Sequence, residues 1–321
     1  MTERAEILEK IYQIASTGHV EMFILKTTLS TKPEKMREIY RVTVEDEIVT
    51  HFRGLVQRKI NWFNTDSDLS FIDFFSDTAS DHYICTLSEI GDIPILSHVV
   101  AKIKHGSYII SVPNFTEAAL DKLQSYAIEI KEGSDRIIYF RKYGKGCKIS
   151  STGFALVLKR GKFNKLSGDV FKIDNTVDCI YYEWADQKGL FIINRDNFES
   201  IFSFFEIYKE ESQSVREILQ SSNLVSIVKG LFESIIEKRR YAKKIALINR
   251  HGKFTHINFN NIQQLKTRSQ ERLRFRIEGG KIIIEDKDAL ADFLDVCDNN
   301  ILQDPFDSGM LFRTKNKERL Q

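Results

Sequence analysis

Two tripeptides, Glu129-Ile130-Lys131 and Glu285-Asp286-Lys287, set a carboxylate two residues ahead of a lysine near the end of an expected strand. In extended backbone that spacing puts both side chains on one face, where they could hold Mg²⁺ and orient a water for phosphodiester hydrolysis. Such tripeptides arise easily by chance in a chain that is 29% charged, and no upstream Asp stands out as a third ligand. A metal-dependent nuclease is therefore the alternative reading, not the leading one. Other reactive patterns are missing. Each Gly-Lys pair, at Gly144, Gly161, Gly252 and Gly280, is followed by a residue other than Ser or Thr, which removes the phosphate-binding loop. There is no GxSxG elbow and no HExxH helix, and His251 and His256 lack supporting cysteines. No catalytic residue, metal site or cofactor is assigned.

Charge gives a stronger signal than any motif. Between Lys229 and Lys281 fourteen Lys and Arg face only Glu233, Glu237, Glu271 and Glu278. A concentrated positive field gains free energy by displacing counterions from a polyanion, so nucleic acid is the first partner to expect. The residues assigned to that contact are Lys238, Arg239, Arg240, Lys243, Lys244, Arg272, Arg274 and Arg276. On a helix Arg239 and Lys243, and Arg240 and Lys244, lie one turn apart and share a face. On a strand Arg272, Arg274 and Arg276 oppose Leu273, Phe275 and Ile277. No recognition-helix signature accompanies them, so the expected contacts are to phosphates and carry little sequence discrimination.

The elements that must position these residues follow from hydrophobic periodicity. Helices are expected over Glu3 to Ser16, Glu45 to Phe63 and Ile93 to His105, the last opened by Pro94. Strands are expected at Val20 to Lys26, Ile39 to Val44, Tyr108 to Val112, Ser125 to Ile130, Arg136 to Arg141, Phe154 to Leu158, Val170 to Ile173, Cys179 to Trp184 and Gly189 to Ile193. Basic groups at the turns, Lys145-Gly146-Cys147 and Lys159-Arg160-Gly161-Lys162, read as solubilising tips or minor phosphate contacts. After Asn194 the pattern becomes helical. An aromatic stripe of Phe198, Ile201, Phe202, Phe205 and Ile207 to Tyr208 reads as core. A second helix, capped by Ser222 or Asn223, is expected to carry Leu224, Ile227, Val228, Leu231, Phe232, Ile235 and Ile236 and to end in the basic face. Phe254 to Lys266 follows as a helix, then a hairpin of Arg272 to Ile277 and Lys281 to Ile284 about Gly279-Gly280, then a helix from Asp288 to Cys297. The fold class is α+β, with a mixed or antiparallel sheet region over residues 1–194 and a helix-rich region with a small hairpin over residues 195–321.

At 321 residues either region could bury a full core. Net charge is only +2, so the basic segment is balanced by acidic ones. Residues 61–101 contain no Lys or Arg but hold Asp66, Asp68, Asp73, Asp77, Asp81, Glu89 and Asp92, either a solvated loop or a surface for a basic partner. A second acidic run from Glu285 to Asp307 has Lys287 as its one base and is expected to flank the basic face or a dimer seam. Cys85, Cys147, Cys179 and Cys297 form no CxxC pair and read as reduced thiols. The charged N-terminus and the absence of a long apolar run read as a cytoplasmic protein.

The segment Gly189-Leu190-Phe191-Ile192-Ile193-Asn194-Arg195 leading into Phe198-Glu199, the later Asn300-Ile301-Leu302-Gln303-Asp304-Pro305, and the basic tail from Lys315 to Arg319 resemble the KwaB family. This is the soluble subunit of the two-protein Kiwa anti-phage defence system. The resemblance implies a cytoplasmic, self-associating protein, a dimer, that binds double-stranded DNA and works with the membrane protein KwaA. It implies recruitment to the inner face of the inner membrane through KwaA, and obstruction of phage DNA replication or expression. It assigns no individual DNA contact; the contacts named above come from charge alone.

Overall fold

The computed structural model describes residues 3–27, 37–76, 82–88, 90–91, 93–106, 109–111, 123–143, 148–149, 155–159, 162–166, 170–171, 175–185, 187–255, 257–269, 272–299, 301–303 and 311–313. Its contacts divide the chain into two compact units, Met1–Phe74 with Asp81–Phe202, and Phe75–Ser80 with Ser203–Gln321.

The first unit opens with α1 (Glu3–Thr17), β1 (His19–Thr27), β2 (Arg37–Val42), α2 (Asp46–Thr65), β3 (Ser70–Asp73), β4 (Tyr83–Leu87), α3 (Pro94–His105) and β5 (Ile109–Ser111). It continues with β6 (Leu123–Glu132), β7 (Asp135–Lys142), β8 (Lys148–Ile149), β9 (Ala155–Lys159), β10 (Lys162–Leu166), β11 (Val170–Phe171), β12 (Cys179–Trp184), β13 (Gln187–Ile192) and α4 (Arg195–Ile201). Nine strands form one sheet in the order β3-β4-β13-β12-β7-β6-β1-β2-β5. Neighbours pair antiparallel except for the outermost pairs, β3 with β4 and β2 with β5. β8 with β11 and β9 with β10 form separate two-stranded ribbons.

Alternation along these strands builds two buried faces. Met22, Ile24, Ile128, Ile130, Ile137, Tyr139, Ile180 and Tyr182 join Leu8, Ile11 and Ile14 of α1 and Phe52, Val56 and Ile60 of α2 in one core. Each such side chain contributes about 1.5–3 kcal/mol by leaving water. On the other face Phe140 meets Phe202 edge-on at 5.1 Å, and Phe74 meets Phe198 at 5.3 Å. Gly189 faces the ring of Tyr182 so closely that a Cβ there would lie 2.4 Å from Tyr182 Oη. That leaves Tyr182 stacked between Trp184, at 4.9 Å, and Phe191, at 5.5 Å.

The second unit holds α5 (Phe204–Ser221), β14 (Val225–Ile227), α6 (Leu231–Ile236), α7 (Arg239–Arg250), α8 (Phe259–Arg268), β15 (Arg276–Glu278), β16 (Lys281–Ile284), α9 (Lys287–Cys297), β17 (Ile301–Gln303) and β18 (Leu311–Arg313). Its core joins Val215, Leu219, Phe232, Ile235, Ile245, Ile248, Phe275, Ile282, Phe293 and Leu294. A three-stranded sheet, β14-β16-β15, runs through it, with β14 parallel and β15 antiparallel to β16.

The structure redraws three of the expected elements here. The aromatic stripe is not one helix: Ser203 adopts a left-handed φ of 54° and separates α4 from α5. The helix expected from Leu224 to Ile236 is a strand followed by a short helix. The β-branched Val225 and Ile227 pair with β16, and Gly230, at φ 82°, turns the chain before α6 begins. The helix expected from Phe254 begins only at Phe259, where the Asn258 side chain accepts from Asn261 N. The tips at 144–147 and 160–161, Asp77, Asp81, Glu89 and Asp92 of the acidic run, Glu271, and the tail from Lys315 to Arg319 lie outside the described residues.

Candidate nucleic-acid interface

α7 carries the densest run of positive charge. Its sequence, Arg-Arg-Tyr-Ala-Lys-Lys-Ile-Ala-Leu-Ile-Asn-Arg, contains no acid. Ala242, Ile245, Ala246 and Ile248 are buried, so helical periodicity turns Arg239, Arg240 and Lys243 away from the core. Lys238, at the N-cap, Arg239 and Arg240 are exposed, and Lys243 and Lys244 are half-buried.

Not all nominated cations remain available to a ligand. Lys244 Nζ is paired with Asp295 of α9. Arg274 is clamped by Asp292, which is 1% exposed and accepts from Arg274 N at 2.9 Å, Nε at 3.0 Å and Nη2 at 3.2 Å. Asp288 takes a third nitrogen of the same guanidinium at 2.8 Å. Arg276 pairs with Glu278 at 2.9 Å and with Glu285. Elsewhere in the segment Arg250 pairs with Glu211 and lies 3.7 Å over the Phe75 ring, Lys253 pairs with Asp298 at 3.0 Å, and buried Lys266 donates to Leu273 O. Among the described residues Lys238 and Arg272 form no ion pair, and Arg240 is engaged only with the Tyr241 ring, at 5.9 Å. The alternation expected for Arg272 to Ile277 holds, with Leu273 and Phe275 buried and Arg272, Arg274 and Arg276 exposed, although regular pairing begins only at Arg276.

Lys287, the one base of the acidic run from Glu285 to Asp307, belongs to the same surface. It opens α9, and its Nζ lies 5.6 Å from the ring that Arg240 also covers, so Arg240 and Lys287 both lie against Tyr241. Arg240 and Lys287 thus form a cationic pair against half-buried Tyr241, with exposed Lys238 at the N-cap of the same helix as Arg240. Its signal in the sequence was the cationic N1 position of α9 behind the cap Asp286, whose side chain accepts from Asp288 N and Ala289 N.

The two carboxylate-x-lysine sites differ in their surroundings. Glu129 lies in the middle of the large sheet, 1% exposed, and accepts from Arg136 Nη1 at 2.9 Å. Lys131 Nζ reaches Glu21 at 2.9 Å and Glu129 at 3.7 Å, and Glu21 is the cross-strand partner of Glu129. Burial raises the pKa of Glu129 above the ordinary glutamate value, opposed by Lys131 and Arg136. Glu285 is engaged with Arg276, while Lys287 is directed at Tyr241. No group of three His, Cys, Asp or Glu among the described residues is arranged to hold a metal ion. His251 Nε2 lies 2.9 Å from Phe75 O, and His256 lies outside the described residues.

Cys85, Cys179 and Cys297 are buried, and burial pushes the Cys297 thiol up to about 12. Among the described residues no helix is long and apolar enough to cross a membrane.

Searches of curated proteins and of solved structures return no match to this chain. A family model described as Kiwa protein KwaB-like matches residues 120–305, more than half of the chain, from β6 through the basic α7 and all of α9. The chain belongs to the KwaB-like family and is a component of the Kiwa defence system.

Proposed function

We propose that this chain is the DNA-binding effector of its Kiwa system and acts without catalysis, by occupying phage DNA and obstructing its replication or expression. The observation that carries this reading is the pair Arg240 and Lys287 against Tyr241, where the first turn of α9 meets the acid-free helix α7, with Lys238 at the N-cap of α7 and Arg239 and Lys243 further along it. Cations on a rigid, packed helix bind a phosphate backbone without losing much side-chain freedom, and a neighbouring aromatic face favours Arg and Lys heads at that position. Arg272 adds a further contact, while Lys244, Arg274 and Arg276 serve chiefly to hold α9 and the three-stranded sheet in place. Residues 1–194 then act as the scaffold and partner domain and residues 195–321 as the DNA-binding domain. The partner is the membrane protein KwaA, which brings a dimer of this chain to the inner face of the inner membrane.

The test is binding of the purified chain to labelled duplex DNA across a salt series with Mg²⁺ present, with RNA as competitor and products resolved on a denaturing gel. Tight binding that weakens steeply with salt and leaves the DNA intact supports the reading. Cleavage that is lost on Glu129→Ala or Glu285→Ala would replace it with the nuclease alternative, and failure to bind duplex at low salt would remove DNA as the ligand.

A further inference from the structure

β14 is the edge strand of the three-stranded sheet, with no partner on its other side among the described residues. In its parallel pairing with β16, Leu224 O accepts from Ile282 N at 2.8 Å and Val228 N donates to Ile284 O at 3.1 Å. Alternation along the strand therefore turns the N–H and C=O of Leu224, Ser226 and Val228 toward β16, and those of Val225 and Ile227 the other way. Among the described residues neither Val225 nor Ile227 has a backbone hydrogen-bond partner on that outer side. A cavity of about 220 Å³ lies between β14, the end of α5 and the start of α6. Leu219, Val225 and Phe232 line it with apolar surface and are themselves nearly fully buried. At its mouth stands Val228, the one large hydrophobic residue among those described that is strongly exposed, at 50%.

The rim is positive. Arg216, Lys229 and Lys281 line the cavity with Glu233 as the single acid, and Arg216 pairs with that acid at 2.5 Å. Lys281 donates to the neutral amide of Asn223 at 2.7 Å and keeps its charge, and Lys229 is exposed. Among the described residues two positive charges therefore remain uncompensated, beside a strand edge that no described residue pairs and an apolar floor. Natural proteins usually blunt such an edge, and one left open beside a groove is suited to receiving a strand.

We infer that this groove docks an extended acidic peptide segment of a partner protein by strand addition to β14. The added strand exchanges hydrogen bonds with Val225 and Ile227, sets an apolar side chain against Leu219, Val225 and Phe232, and places its carboxylates beside Lys229 and Lys281. This site is separate from the cationic patch on α7, and its test does not depend on DNA binding.

The probe is a fluorescent, end-blocked octapeptide alternating Val with Glu, titrated into the full chain and followed by anisotropy. Saturable binding is expected. It should weaken about tenfold when the peptide amides facing the strand are N-methylated, the loss equivalent to one or two hydrogen bonds. Ile227→Pro removes an outward donor while sparing the ladder to β16 and should weaken binding similarly. Lys229→Glu, a surface change, keeps the test decisive if the proline variant does not fold: it should reverse the preference for the Glu peptide over a Val-Lys peptide. Absence of saturable binding, indifference to N-methylation, or equal affinity for the Val-Lys peptide in the wild-type chain would each overturn the inference. A fall in oligomeric state on Lys229→Glu in sedimentation would overturn it too, by assigning the groove to a second copy of the chain.

Discussion

If Lys238, Arg240 and Lys287 contact phosphates, replacing all three by Ala should change the salt dependence of DNA binding by a calculable amount. Each phosphate contact contributes about 0.9 to the slope of log K against log salt, so the triple variant should bind with a slope shallower by about 2.7. Between about 50 and 200 mM salt the wild-type chain should then lose about 40-fold more of its affinity than the variant does. The control is Lys244→Gln with Arg276→Gln. These remove two charges from the same basic segment, but charges already answered by Asp295, Glu278 and Glu285. Their slope should stay within one contact of wild type. Fluorescence anisotropy with a short labelled duplex at five or six salt concentrations, alongside circular dichroism to establish folding, separates the cases. A folded triple variant with an unchanged slope would refute the patch. A control pair that flattens the slope as much as the triple variant would refute the claim that intramolecular pairing decides which cations bind.

Other consequences concern the frame that holds this surface. Arg274→Ala strands the buried Asp292 carboxylate and should lower the urea midpoint, and adding Asp292→Ala should restore part of the loss, because an unpaired buried charge costs more than the pair contributes. Gly189→Ala should destabilise by about 1–3 kcal/mol in the same assay, since the new Cβ meets the Tyr182 ring inside the Trp184–Tyr182–Phe191 stack. Glu129 has a folded pKa raised by burial above the ordinary 4.5, so above that pH the unfolded chain gives up its proton first and the folded state binds more protons. Stability should therefore fall as pH rises through the window above 4.5, and Glu129→Gln should flatten that fall in pH-dependent denaturation midpoints.

The large sheet was readable because its strands are long enough for alternation to show. The span of Cys179–Trp184 coincides with the expected one, and the pairs that bury Ile137 and Tyr139 on one face and Ile138 and Phe140 on the other belong to a run apolar on both sides, as a sheet covered twice requires. The stretch from Leu224 to Phe232 misled for the opposite reason. Leu224, Ile227, Val228, Leu231 and Phe232 fall at helical spacing, yet a three-residue strand and a six-residue helix are each too short for periodicity to tell them apart. The stop was present in Lys229-Gly230, whose glycine takes the left-handed conformation that ends the strand segment. The order of the nine strands, which places Glu129 beside Glu21 and Arg136 although they are far apart or unrelated in periodicity, depends on pairing across the whole unit and has no local signature.

The binding surface shows the same limit in terms of charge. Fourteen cations against four acids describe a segment, but a ligand meets a surface, and folding brings acids from beyond the segment onto it. α9 makes the selection. Asp292, with Asp288, takes Arg274; Asp295 takes Lys244; and Asp298, just past its end, takes Lys253. The same helix presents Lys287 at its first turn to the ring that Arg240 covers. An acidic run that looked like a counterweight to the basic segment is therefore part of its architecture. It neutralises the cations that pack between α7, the sheet and itself, where bare charge would be costly to desolvate, and leaves Lys238 and Arg240 with its own Lys287 at the exposed end. The expected affinity for a polyanion should consequently follow the few cations outside this pairing, not the formal excess of the segment, which is why substitutions that are alike in sequence and charge should differ in their effect on binding.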